Sequence, residues 1–480
     1  MSRKFAMQLM TALLLSVLLL SACGPTTAPS VATQPPANEN QATAAPANPA
    51  TQAPAEISGK VTVWCWSASW KNSIVKSGAL DAFQAKYPNV QIDYVETNPQ
   101  DVYQKLPIAI SAGTGAPDWA CVESSHLAQM VALGGLADLT AQVTPYINKM
   151  NAYKWPDTML DGKYYAMPWD SGPVVMYYRR DVFKAAGLAS DPDSVSAMVA
   201  TWDDYLNVCK TIMEKTGDQC FASNKANNDA RIYETMLWQQ GLGYTNAEGQ
   251  VTVDSPENIA TLEELKKFWD ANLLSDQQAW QEGWYAELAA GGTTPVATVG
   301  PGTPEPAAVK PVASLVEAAW MGAFLKGFIA PGTEGLWGVA QMPAMKAGQP
   351  RSSNDGGSNV VIPEQSQNKA AAWALAEFLF GRVDSQVAMF KTNDIFPSLE
   401  AAYADPVFSE PDPYFDNQNV RTAYVAAVKI IPTGYVYGSN YALMNRYVQT
   451  AIGKVATGQA SIKDALTEAA DAIRNDTGLP

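Results

Sequence analysis

The chain has few of the residues on which most enzymes depend. Its 480 residues contain one histidine, His126, and its five cysteines never fall in a CxxC spacing. A zinc site built from His and Cys is therefore not expected. No glycine-rich loop is spaced to cradle a phosphate, and no GxSxG elbow presents a serine nucleophile. Basic residues are also scarce: 32 Lys and Arg stand against 47 Asp and Glu, a net charge of −15. That balance argues against nucleic acid and anionic lipid surfaces as partners. Beyond Leu20 no apolar run is long enough to span a bilayer, which takes about 20 residues.

The N-terminus has a different character. Arg3 and Lys4 precede an apolar stretch over residues 5–20, and Leu20-Ser21-Ala22-Cys23 closes it. This reads as an export signal over residues 1–22. The closing residues resemble the lipobox of bacterial lipoproteins, which implies cleavage before Cys23, acylation of that cysteine and attachment to a membrane by lipid outside the cytoplasm. Residues 23–58 are mostly Ala, Pro, Thr, Gln and Asn, with Glu39 and Glu56 their only charges and no aromatic residue. A segment of that composition cannot bury enough apolar surface to offset its ordering entropy, so a disordered stalk is expected.

The remaining chain, roughly 420 residues, exceeds what one hydrophobic core serves, and two lobes are expected. Helical and strand patterns alternate from its start. Val61, Val63 and Trp64 lie in a β-branched and aromatic run ending at Trp66. Leu80, Phe83 and Tyr87 share one face of a helix that Pro88 stops. Residues 90–95 alternate as a strand, 100–112 read as a helix in spite of Pro107, and 119–122 as another strand. This order predicts an α/β protein with mostly parallel sheets flanked by helices. Of the four cysteines in the body, Cys209 and Cys220 bracket a short loop, leaving Cys65 and Cys121 as a second pair. The alternative is four buried free thiols.

These residues carry a family resemblance. ALDAFQAKYPNV at 79–90 and AGTGAPD at 112–118 are similar to the opening of the extracellular solute-binding proteins of ABC importers, in the sugar-binding branch that includes maltose-binding protein. GKYYAMPWD at 162–170, YYRRDVF at 177–183, TWDDY at 201–205, GLWGVAQMP at 335–343, Gly356-Gly357 and Ile362-Pro363 follow in the family's order. The resemblance implies two hinge-linked lobes, 59–171 with 357–395 and 172–356 with 396–480, which close on a ligand. It also implies delivery of a carbohydrate to ABC permease subunits by a monomer, with no cofactor, no metal and no catalysis. Residues 291–311 depart from the pattern. Five prolines lie among Gly, Thr, Ala and Val, which reads as a mobile insertion.

Sugars present flat C–H faces and hydroxyls, which aromatic rings and polar groups respectively engage. Trp66 and Trp70 follow the first strand, and Glu123 and Ser124 end the third, where parallel sheets hold ligands. Asp170 and Trp320 match an acidic and a stacking position of the family. Gly356 and Gly357 would let backbone approach a ligand or simply form a turn. Arg231, Trp337 and Tyr435 are weaker candidates, while Trp64 and His126 read as structural. Two other readings stay open. A glycosidase needs only two carboxylates, and a surface carbohydrate-adhesion lipoprotein needs no hinge.

Overall fold

The structure, a computed structural model, describes residues 56–223, 230–275, 277–292 and 309–480. The expected signal segment, Cys23, the expected stalk up to residue 55 and most of the expected insertion at 291–311 lie outside the described residues. Among the described residues, ten strands run in chain order as β1 (Gly59–Cys65), β2 (Val90–Glu96), β3 (Trp119–Glu123), β4 (Met159–Leu160), β5 (Lys163–Tyr164), β6 (Ala166–Pro168), β7 (Val174–Arg179), β8 (Ser314–Ala318), β9 (Trp337–Ala340) and β10 (Ser358–Val361). They form a five-stranded sheet in the order β2-β1-β3-β10-β6, a three-stranded sheet β8-β7-β9, and the hairpin β4-β5.

The first sheet follows from its sequence. Val61, Val63 and Cys65 point to one side of β1 and are fully buried. Around them pack Ile74, Phe83, Trp119, Trp169, Phe378 and Phe380. The helix Ala79–Lys86 lays Phe83 onto this core, as its spacing predicts. Helix Pro99–Ala112 runs through Pro107. It starts where the Asn98 side chain accepts the Asp101 amide at 2.8 Å and stops at left-handed Gly113. On the second side, helix Trp202–Thr216 opens with a capping box between Thr201 and Asp204 and buries Trp202, Tyr205 and Cys209. These join Tyr177, Phe221, Trp284, Trp337 and the C-terminal helix Ile462–Thr477 in the largest core. Fully burying an apolar side chain of this size contributes about 1.5–3 kcal/mol.

β1 pairs in parallel with β2 and β3, whereas β10 runs antiparallel to β3 and β6. The expectation of a mostly parallel sheet in each lobe fails for the second, where β7 is antiparallel to both β8 and β9. The reason is chain direction. β7 leads away from the first lobe, while β8 and β9 both run back toward it.

Three chain segments cross between the lobes side by side. Val174 N–H donates to Ser353 O at 2.9 Å, Asp355 N–H to Gly172 O at 2.9 Å, and Ser171 N–H to Phe396 O at 2.9 Å. The Asn354 side chain accepts from Gly172 N–H at 3.1 Å. A Cβ on Gly172 would lie 1.9 Å from Asp355 O, so only glycine fits there.

Two disulfides tie down the lobes, Cys65–Cys121 between β1 and β3 and Cys209–Cys220 in the second core. They close loops of 56 and 11 residues respectively. The chain-entropy relation then assigns about 4 kcal/mol to the first and about 3 kcal/mol to the second. Urea unfolding of the two double Cys→Ser variants should show both destabilised, the Cys65/Cys121 pair more. An unchanged midpoint for either would show that the bond does not constrain the unfolded chain.

Candidate functional site

The C-terminal ends of β1, β3 and β6 and the N-terminal end of β10 open on one edge of the first sheet, because β10 alone is reversed. That edge presents Glu123 at the end of β3 and Asp170 just after β6. Across the crossing, β8 ends at Ala318 and the chain turns into Trp320, while Arg231 opens the helix Arg231–Trp238.

Carboxylates converge here from both lobes. Arg231 Nη1 lies 3.5 Å from Glu317 Oε2 and 3.4 Å from Asp355 Oδ2. Burial raises the Glu317 carboxyl well above its ordinary range, with Asp355 adding repulsion and Arg231 opposing it. Burial also raises Glu123. The Tyr103 hydroxyl and Arg231 pull it back, while Asp355 and Asp170 push further. Thus one guanidinium of the second lobe faces acids of both lobes and of a crossing segment.

An aromatic wall stands beside this cluster. Trp320 Nε1–H donates to Asp355 O at 3.0 Å, so the ring hangs from a crossing segment. Trp280 lies against it at 5.9 Å with planes 29° apart, and Phe324 meets it edge-on at 5.7 Å. The Arg231 guanidinium sits 5.9 Å from the Trp280 ring centre. Trp280 has a φ of 65°, a left-handed conformation that costs a bulky residue on the order of 1–3 kcal/mol. Arg231, Trp280, Trp284, Glu317 and Phe221 line a small pocket of about 30 Å³.

Deeper at the lobe junction, Lys154 Nζ donates to Ser124 Oγ at 2.7 Å, and that hydroxyl donates to Gly357 O at 3.0 Å. Burial lowers Lys154 to about 8. Asp157 accepts the Tyr437 and Gly438 amides at 3.0 and 3.2 Å, joining the first lobe to the C-terminal part of the second. Tyr435 stacks on Trp238 at 4.6 Å beside them.

The sequence-derived candidates separate accordingly. Glu123, Asp170, Trp320, Gly356 and Arg231 come together. Asp170 Oδ1 is engaged by the Ser358 amide at 2.6 Å, so this side chain also fixes the start of β10. Gly356 passes under Trp320: a Cβ there would lie 3.6 Å from Nε1. A Cβ on Gly357 would lie 2.6 Å from Lys154 Nζ, and Ser124 is held in the same internal network. Trp66 is half-buried at the end of β1, against the first core.

Trp70 does not reach the cleft. It is 2% exposed, stacked on Tyr94 at 5.3 Å and edge-on to Trp119, because the helical turns Ser67–Ser69 and Trp70–Val75 swing its ring back onto the sheet. Trp337 is likewise core, donating to Thr333 Oγ1 at 3.0 Å. Trp64 packs in the smaller core behind β3, and His126, kept neutral by burial, stacks on Tyr103. Sequence reading missed Glu317, Asp355, Trp280, Lys154 and Asp157. A lone acid within the apolar strand β8 and an Asp directly before Gly356-Gly357 were the available signals. Among the described residues no His, Cys, Asp or Glu group is arranged to hold a metal ion. No helix among them is long and apolar enough to cross a membrane.

Two lobes joined by three crossings, with polar and aromatic groups from both meeting at the junction, define a hinged capture protein. The chain belongs to the bacterial extracellular solute-binding protein family, which it matches over residues 68–383. Membership places its working site outside the cytoplasm. It is 24% identical over 405 residues to a lactose-binding protein of Rhizobium radiobacter, covering 83% of this chain and 87% of that one. It is 26% identical over 371 residues to an arabinooligosaccharide-binding protein of Halalkalibacterium halodurans, covering 75% and 76%. A binding protein from B. animalis subsp. lactis, solved with β-1,6-galactobiose, shares the fold with a TM-score of 0.68 at 24% identity, covering 88% of this chain and 99% of that one. The lacto-N-biose complex of a Bifidobacterium longum protein gives 0.69 at 20% identity, covering 88% and 98%. These relatives are described as binding proteins rather than enzymes.

Asp157 offers a test of the junction. Burial raises its carboxyl to about 6 from an ordinary 3.8, so the folded state holds this proton more tightly than the unfolded one. Its destabilising contribution is absent below about pH 4, grows as pH rises through 6, and reaches roughly 3 kcal/mol. Asp157→Asn cannot ionise but keeps an oxygen for the two amides. Relative to that variant, the parent's melting temperature should fall by several degrees between pH 4 and pH 7. Parallel melting curves across that range would refute the shift.

Proposed function

We propose that this protein captures a neutral oligosaccharide between its lobes and hands it to the permease of an ABC importer, working as a monomer tethered through an acylated Cys23. The observation that supports this most is the pairing of the Trp320–Trp280 wall with the Glu123, Glu317, Asp355 and Arg231 cluster. Stacked rings suit the C–H faces of a pyranose, and charged acceptors and donors suit its hydroxyls. Four carboxylates, counting Asp170, against Arg231 and Lys154 disfavour anionic sugars. The sugars named for the relatives agree in class. Lobe boundaries at 59–171 with 357–395 and 172–356 with 396–480 place Glu123 and Arg231 on opposite sides, so a bridging ligand favours the closed form. Catalysis is not part of this reading.

Thermal-shift screening of the mature chain against a carbohydrate library should identify stabilising sugars. Calorimetry should then find the hit's affinity reduced by roughly ten- to a hundredfold in Glu123→Gln and Arg231→Gln, about 1.5–3 kcal/mol for a lost charged hydrogen bond. Trp320→Ala should also weaken it. Folded variants that all bind like the parent would place the ligand elsewhere. Intact mass of membrane-extracted protein should show an acylated N-terminal Cys23, and Cys23→Ala should remain an unprocessed precursor.

A further inference from the structure

The aromatic wall does not end at the cleft. Trp320, Phe324 and Phe328 recur every four residues where the chain turns from Trp320 into the helical stretch Met321–Ile329. Met321, Leu325 and Ile329, one position on, are buried in the second core. The two rows are neighbouring faces of one short helix, one serving the core and the other facing outward. The outward row becomes more exposed with distance from the crossing. Trp320 is half-buried and tied to Asp355 O, Phe324 is 39% exposed and Phe328 52%. From Trp320 to Phe328 the row covers on the order of 12 Å at helical rise, longer than one sugar ring.

The rings form a connected network that runs through the buried Trp284. Phe324 meets Trp280 at 5.8 Å, Trp280 meets Trp284 at 5.3 Å, Trp284 meets Tyr285 at 5.7 Å, and Tyr285 meets Phe328 at 5.4 Å. Packing therefore holds Phe324 and Phe328 in fixed orientations. Two exposed phenylalanines beside the candidate cleft extend its apolar lining outward, and apolar surface that continues a groove is a common mark of a ligand-binding face.

We propose that this row is an outer subsite for the distal units of an oligosaccharide whose first unit lies at Trp320, so that the protein selects chains longer than a disaccharide. The inference rests on the carbohydrate reading above. Continuity with the cleft favours the same ligand over a separate protein partner, since an occupant extending outward from Trp320 meets Phe324 and then Phe328. The exposed rings offer edges and faces to C–H groups. Hydroxyls pointing away from the helix stay in water, so lengthening the chain costs little desolvation.

The test is calorimetry on the mature chain with galacto-oligosaccharide and arabino-oligosaccharide series, each from the disaccharide upward. In the series that binds, parent affinity should rise with length. Phe328→Ala should remove that gain, roughly three- to tenfold for the longest chains, while leaving the disaccharide within twofold. Phe328→Trp should restore it, and Trp320→Ala should weaken every length. Affinity independent of length, or an equal loss at all lengths in Phe328→Ala, overturns the outer subsite. So does a Phe328→Ala variant that binds every length like the parent yet fails to support uptake, which would mark the row as a protein-docking face. Failure of the parent to bind any sugar would instead overturn the carbohydrate reading itself.

Discussion

Everything at the candidate site hangs on the contact between Gly172 and the segment Asn354-Asp355. Gly172 donates its amide to the Asn354 side chain and accepts the Asp355 amide at its carbonyl, with Asp355 O less than 2 Å from where a side chain would begin. This close backbone approach sets the spacing of two crossing strands. Asp170, two residues upstream, thereby reaches the Ser358 amide. Asp355 O accepts the Trp320 indole, and the Asp355 carboxylate meets Arg231. The third crossing joins through Ser171 to Phe396. A side chain at residue 172 would force these strands apart and move the acidic cluster and the aromatic wall together. A single glycine is thus a positional constraint on groups from both lobes.

The same crossing would let a hinge and the proposed binding site coincide. Backbone hydrogen bonds near a hinge change little when lobes rotate, whereas contacts farther out are made and broken. The outer contacts here are of opposing kinds. Asp157 clips onto the Tyr437 and Gly438 amides, and Arg231 attracts Glu123 across the cleft. Asp355 and Asp170 repel Glu123. Each uncharged hydrogen bond contributes about 1 kcal/mol net. With such small contributions of both signs, a ligand that satisfies both sides is well placed to decide the conformation.

Local chemistry was legible in the sequence, and long-range geometry was not. The β-branched and aromatic run of β1 and the one-faced helix Ala79–Lys86 are determined within a few residues of chain. Glu123, to which a strand end points, and Asp170 and Trp320, to which family position points, lie together at the lobe junction. Trp70 was misplaced because two consecutive helical turns, not the strand before them, set its direction. The antiparallel second sheet was missed because strand polarity depends on where a chain re-enters, which periodicity does not encode. Glu317, Asp355 and Trp280 belong to segments far apart in sequence, and no local pattern marks them as partners.

The acids missed by sequence reading change what the cleft can accept. A site made only of Asp170, Glu123 and tryptophans would be a generic sugar cradle. With Glu317 buried beneath Arg231, the guanidinium is oriented by carboxylates on more than one side before any ligand arrives. An anionic sugar would have to displace those carboxyl groups or join them, and a negative charge buried beside Glu317 is opposed by the same burial that raises the Glu317 carboxyl. A neutral sugar pays no such penalty, because its hydroxyls can donate to the acids and accept from the guanidinium without altering the net charge of the cleft. On the proposed carbohydrate reading, discrimination against acidic ligands would reside in the ion cluster, while the neighbouring rings, indifferent to charge, would govern shape and length.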